Sequence, residues 1–217
     1  LAPWLARMCH DWLRLRGQVL EENLRLAFPD KPEAERQRIG REMWEHLIIL
    51  IAEMALTPRK LHDTNWRDYV TISGGRPLCE ALLSDRATLL VSGHFGNFEV
   101  GGLIMGLLGF QTHAVARTLD NPFLDDWLDR SRRVTGQHIV PKKGGYEQIL
   151  AVLAAGGTMG FLADQYAGSK GCWVEFFGRP ASAHKAIALF ALDNDAPLIV
   201  CSARRLGRPL HIEMRVK

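Results

Sequence analysis

The stretch Thr88-Leu-Leu-Val-Ser-Gly-His-Phe-Gly-Asn-Phe-Glu99 opens as a short apolar run, breaks at Gly93, sets a histidine on the turn and resumes at Asn97. An apolar run of this length bounded by glycine has the pattern of a buried strand, and the run from Asn97 to Leu108 that of an apolar helix. His94 therefore falls at a strand's carboxyl end. Glu99 stands five positions later, on a different side of any continuous helix, because helical neighbours are three and four apart. A bend between the two removes that obstacle. Gly96 admits dihedrals other residues avoid, and Asn97 is a good N-cap, which leaves Glu99 in the first helical turn. From there Glu99 is expected to reach one ring nitrogen of His94 and fix its tautomer, with the other nitrogen facing a cleft as a general base. Backbone N–H groups at Gly96 and Phe98 are the oxyanion candidates. Spacing alone is weak: with 8 His and 24 acidic residues in 217 positions, about one His-x4-acid pair arises by chance. The strand before it and the capped helix after it strengthen the signal.

Outward from this stretch the pattern alternates. Strand 88–93 is followed by helix 97–108, strand 111–117, helix 122–135, strand 137–140 and helix 145–154. Strand 158–163, a loop, helix 183–193 and strands 197–203 and 209–216 complete the chain. Helices interleaved with short apolar strands predict an α/β fold: a mostly parallel central sheet with helices on both faces. Ligands in such sheets gather at the strands' carboxyl ends, which singles out His94, Arg117, Lys142, Lys143, Asp164, Gln165, Arg204 and Arg205. Residues 1–75 form an expected N-terminal helical region ahead of a core spanning 76–217. In residues 1–20 the apolar positions fall three or four apart, with Arg7 and Arg14 off the stripe, as on a helix lying in a membrane interface or packed on the domain's own core. A second helix is expected over 33–56, ending before Pro58.

Composition narrows the function. A chain of 217 residues with net charge +3 has room for one sizeable core and no run of like charges that would mark a nucleic-acid partner. Cys9, Cys79, Cys172 and Cys201 lack C-x-x-C spacing, which argues against a zinc site or a disulfide framework and for a reducing setting. No stretch is long and apolar enough to span a bilayer. The turn after the first core strand lacks the G-x-G-x-x-G of a dinucleotide site, and neither a P-loop nor a G-x-S-x-G elbow occurs. With no nucleophile elbow, the base is expected to act on a nucleophile carried by the substrate.

Four ordered blocks carry a family resemblance: Glu22-Asn-Leu-Arg-Leu-Ala-Phe-Pro29, Ser92-Gly-His-Phe-Gly-Asn-Phe-Glu99, Ala163-Asp-Gln165 and Phe176-Phe-Gly-Arg-Pro-Ala181. Together, from about Val19 to Arg205, they resemble the lipid A lauroyl/myristoyl acyltransferases of the lysophospholipid acyltransferase superfamily. The resemblance implies a His94/Glu99 dyad that activates a hydroxyl of a lipid A precursor toward an acyl thioester. Substrate contacts are expected from Arg117, Asn97, Asn121, Asp164, Gln165 and Lys142, with Arg117 and Lys142, both at strand ends, holding a phosphate or the donor's pantetheine. No metal or redox cofactor is expected. The co-substrate would be acyl-carrier protein or acyl-CoA, and the setting the cytoplasmic face of the bacterial inner membrane. Two alternatives stand beside it: the same chemistry on another glycolipid such as a phosphatidylinositol mannoside, and a non-catalytic lipid- or carrier-binding module.

Overall fold

A computed structural model of the chain describes residues 1–134 and 136–217. Two compact units divide it: residues 1–55 with 173–181, and residues 56–172 with 182–217.

The first unit is helical. Helix α1 (Ala2–Arg7) runs into a π-helical turn, Met8–Trp12, before α2 (Gly17–Ala27). The single helix expected over 1–20 is thus broken, because Arg14 and Arg16 take left-handed dihedrals (φ +46° and +53°) that no right-handed helix accommodates. Helix α3 (Glu33–Lys60) passes through Pro58 rather than stopping before it. Pro58 has no N–H to give the carbonyl four residues back, but the helix still closes beyond it, with Leu61 N–H bonding Thr57 O. Along α3, Leu50 is buried but Ile51 is exposed, so the apolar run Leu47–Ala52 is not uniformly interior.

The second unit holds a seven-stranded sheet of order β1-β9-β8-β2-β5-β3-β4. Its strands are β1 (Val70–Ser73), β2 (Thr88–Ser92), β3 (Thr112–Ala116), β4 (Gln137–Pro141), β5 (Thr158–Leu162), β8 (Leu198–Arg205) and β9 (Ile212–Val216). All neighbours pair in parallel except β8 with β9. Helices α4 (Gly75–Leu82) and α5 (Phe98–Leu107) cover one face; α7 (Tyr146–Ala154) and α8 (Ala186–Asp193) cover the other. α6 (Pro122–Arg133) packs beside α5 and β4. The expected end of α6 at Thr135 lies outside the described residues.

β2 lies at the centre of the sheet, three strands to either side. Leu90 joins the core under α4 and α5, while Leu89 is sealed in the core under α7 and α8. A strand buried on both faces needs a continuous apolar run, which is what Leu89-Leu90-Val91 supplies. Each such leucine contributes about 2 kcal/mol by leaving water.

Three elements escape the sequence pattern. β1 is four residues long, and α4 begins at Gly75 behind a left-handed Gly74. The expected loop after β5 contains a two-stranded hairpin, β6 (Cys172–Phe176) and β7 (Arg179–Ala183). Phe177 and Gly178 make its turn, both with positive φ, as a two-residue hairpin turn of matching twist requires.

Candidate active site

The register of the central strands builds the site. β2 and β5 pair from Thr88↔Thr158 through Ser92↔Leu162, and Ala163 N–H donating to Ser92 O at 2.8 Å extends the ladder. Two residues further along that register lie His94 and Asp164. Gly93 between them has no side chain to obstruct the approach; a Cβ there would stand 3.0 Å from Asp164 Oδ2.

One oxygen of the Asp164 carboxylate lies 2.7 Å from His94 Nδ1, and the other accepts the His94 backbone N–H at 2.7 Å. A carboxylate only accepts, so the ring proton is assigned to Nδ1 and Nε2 carries the lone pair. Partial burial pushes the Asp164 carboxyl up, but the bonds from the His94 ring and backbone outweigh it and hold the group below its ordinary value of 3.8. Gln165 Nε2 stands 3.5 Å from His94 Nε2, and the Phe98 ring meets the imidazole edge-on, centroids 4.8 Å apart. Both His94 and Asp164 side chains are more than a third exposed, so the ring's free edge is open.

Glu99 does not make the contact expected of it. Its two oxygens accept from Arg132 Nη2 at 2.6 Å and Nε at 3.0 Å, in a pair with side chains only 15% and 17% exposed. Once the helix starts at Phe98, Glu99 faces α6 instead of the turn that carries His94, and Asp164 takes up the imidazole. Arg132 had no distinguishing mark in the sequence: it is one of three arginines in the last turn of α6.

The bend itself forms as expected. Gly96 has φ +64°, and a Cβ there would stand 2.0 Å from Ala203 O; Asn97 N–H donates to that same carbonyl at 2.7 Å. Asn97 Oδ1 accepts the Val100 N–H and so caps α5. Asn97 is 0% exposed. The N–H groups of Phe98 and Glu99 open the helix without i−4 acceptors. Asn121 likewise caps α6, accepting from Phe123 and Leu124 N–H.

Arg117 and Lys142 follow β3 and β4, on the sheet edge that also bears His94, Asp164 and Gln165. Arg117 is exposed and makes a long contact, 3.4 Å, to Asp120. Arg204 is committed to Glu213 at 2.9 and 3.1 Å. Among the described residues no group of His, Cys, Asp and Glu is arranged to hold a metal ion.

Under α5 lies a cavity of about 130 Å³, walled by residues that include Phe98, Gly102, Met105, Ala114, Phe161 and the Glu99–Arg132 pair. It is apolar except for that pair and a few polar groups, as small-molecule sites commonly are.

The four sequence blocks pair off in space. The second and third meet as His94 and Asp164 in the sheet unit. The first and fourth meet as Phe28 and Phe177 in the helical unit, rings edge-to-face at 5.4 Å.

Residues 2–217 match the family described as bacterial lipid A biosynthesis acyltransferase. A lipid A biosynthesis palmitoleoyltransferase of Escherichia coli (strain K12) is 25% identical over 211 residues, covering 94% of this chain and 67% of its own. A lipid A biosynthesis acyltransferase of Shigella flexneri shows the same identity and coverage. One from Haemophilus influenzae is 28% identical over 166 residues, 76% of this chain and 52% of its own. With a family match along almost its whole length, the chain belongs to the bacterial lipid A biosynthesis acyltransferases.

Proposed function

We propose that this protein transfers a fatty acyl chain from an acyl thioester, carried by acyl-carrier protein or CoA, to a hydroxyl of a lipid A precursor, with His94 as general base and Asp164 as the carboxylate that positions it. The observation that carries this reading is the 2.7 Å contact between His94 Nδ1 and Asp164, which leaves the lone pair on Nε2, where Gln165 Nε2 stands 3.5 Å away and an incoming hydroxyl would take its place. Nε2 removes the proton of the acceptor hydroxyl as its oxygen attacks the thioester carbonyl. The tetrahedral oxyanion forms beside the first-turn N–H groups of α5, where the helix dipole and unpaired donors favour negative charge. The C–S bond then breaks, and the departing thiolate takes the proton from the imidazolium. Base action of this kind contributes roughly 10²- to 10⁴-fold, and holding two amphiphiles together supplies a further share by proximity.

The cavity beneath α5 is where the acyl chain is proposed to lie, since each buried CH2 contributes about 0.8 kcal/mol. Arg117 and Lys142, on the same sheet edge, are proposed to meet a phosphate of the acceptor or the donor's carrier group. A membrane surface is the proposed setting. No helix among the described residues is long and apolar enough to cross a bilayer, but the helical unit exposes Trp4, Trp12, Leu13 and Leu15, residues suited to headgroup depth. The name of the Escherichia coli relative specifies a palmitoleoyl chain; chain length in this protein is proposed to follow the depth of its own cavity.

The test is acyl transfer by His94→Ala, with acyl-carrier-protein and CoA thioesters offered separately to a lipid A precursor. Transfer should fall by at least about 10²-fold while the fold and lipid binding persist. Undiminished transfer would overturn the assignment.

A further inference from the structure

In the helical unit, far along the chain from His94, a second cavity of about 440 Å³ is lined by Arg14, Arg16 and Arg36 and by the first turn of α2, Gly17 to Leu20. That volume is within the range of small-molecule sites. Its chemistry is that of an anion site. Arg38 and Arg41 of the same unit are neutralised by Glu42 and Asp11, but Arg14, Arg16 and Arg36 have no carboxylate within ion-pair distance among the described residues. Arg36 Nη1 donates to the Lys31 carbonyl, and its Nε is buried with no hydrogen-bond partner among the described residues. A guanidinium held this way keeps donors that protein atoms do not satisfy, which is costly unless an acceptor arrives.

The helix start adds to this. α2 has no side-chain cap. Gly17 N–H bonds Arg14 O and Leu20 N–H bonds Arg16 O, leaving the Gln18 and Val19 N–H groups open at the positive end of the helix dipole. Two carboxylates, Glu21 and Glu33, share the lining along with His10, Gln37 and the apolar Leu24. Three guanidinia against two carboxylates leave the wall net positive, with polar and apolar surface around it. We propose that this cavity binds a phosphomonoester group, its oxygens taken by Arg14, Arg16, Arg36 and the α2 N–H groups and its body resting among Val19, Leu20 and Leu24. Guanidinium forks and helix N-termini are both well suited to phosphate oxygens. The cavity opens the helix that carries the Glu22–Pro29 block, and gives that block's surroundings a ligand that the acyl-transfer chemistry leaves unassigned.

Inorganic phosphate, titrated calorimetrically at constant ionic strength set with chloride, tests it, together with sedimentation on phosphatidylcholine vesicles with and without phosphatidic acid. The proteins compared are the parent, Arg14→Gln/Arg16→Gln, Arg36→Gln and His94→Ala, with folding followed by circular dichroism. The parent should bind phosphate saturably, and the exposed double variant should bind roughly tenfold more weakly or worse, with His94→Ala unchanged. Arg36→Gln should show the same loss if it folds, and the double variant decides the matter if it does not. Binding to free phosphate without added affinity for phosphatidic acid vesicles assigns the site to a soluble phosphomonoester. Binding only to phosphatidic acid vesicles, lost in the double variant, assigns it to a lipid headgroup. Absence of both, or equal binding by parent and double variant, overturns the proposal; because His94→Ala reads acyl transfer separately, either conclusion can fail without the other.

Discussion

The Asp164 carboxylate holds His94 at two points, one oxygen 2.7 Å from the ring Nδ1 and the other 2.7 Å from the backbone nitrogen. A side chain that grips both the ring and the peptide of one residue sets the position of the loop and the tautomer of the imidazole together.

Asp164→Asn keeps the size of the side chain but removes its charge and offers only one accepting oxygen. The imidazole is then free to adopt the other tautomer, with a proton on the nitrogen that must act as base. Acyl transfer should fall by about 10²-fold or more in kcat, with KM for the thioester little changed. Steady-state kinetics on both thioester donors measures the split; a change confined to KM would contradict the positioning role.

The same contact has a pH signature. Asp164 sits below its ordinary value of 3.8 in the fold, so its contribution to stability is complete above that value and is lost as pH falls through the folded one. Urea unfolding of parent and Asp164→Asn should therefore differ at neutral pH and converge in acid below pH 3.8. With both side chains more than a third exposed, solvent screening keeps the difference modest. A gap that stayed constant down to strongly acid pH would mean that the charge on Asp164 is not what stabilises the turn.

Glu99 and Arg132 form the opposite case, a pair largely out of water. Removing one partner leaves the other charge without compensation, so Glu99→Gln should destabilise by about 2 kcal/mol, the scale of a lost hydrogen bond to a charged group. Glu99→Gln combined with Arg132→Met should recover most of that loss, a coupling that denaturant titration of the double-mutant cycle reads directly. If Glu99 instead steered the imidazole, the double variant would regain stability but remain as inactive as His94→Ala.

Ala114 lines the cavity under α5, so enlarging it shortens the space available to an acyl chain. Ala114→Leu should shift preference toward shorter thioesters, by roughly tenfold for each two methylenes excluded at about 0.8 kcal/mol each. Competition between donors of different length, read by mass spectrometry of the acylated lipid, checks this. An unchanged chain-length profile would place the chain elsewhere.

Much of this architecture is legible in the residues themselves. Leu89-Leu90-Val91 announces a strand buried on both faces because only a continuous apolar run survives there. Asn97 and Asn121 announce helix starts because a short amide side chain supplies the acceptor the first turn lacks. The α/β alternation and the placing of His94 at a strand's carboxyl end follow from such local rules, and the structure bears them out. Elements with weak local signatures were not legible. β1 is too short for a period to show, and the β6–β7 hairpin has residues exposed on both sides, so it lacks the alternation of a half-buried strand. The break at Arg14 and Arg16 depends on left-handed dihedrals that their residue type does not signal.

The sequence by itself determined that a histidine stands on a turn between a buried strand and a capped helix, since those are interactions among residues a few positions apart. Only the tertiary structure decided which carboxylate meets it. Glu99 is near along the chain but faces Arg132, whereas Asp164, seventy residues away, is delivered by the register of β5 against β2. Strand pairing over that distance is selected by burial of the whole sheet, a sum over many side chains that no local spacing records.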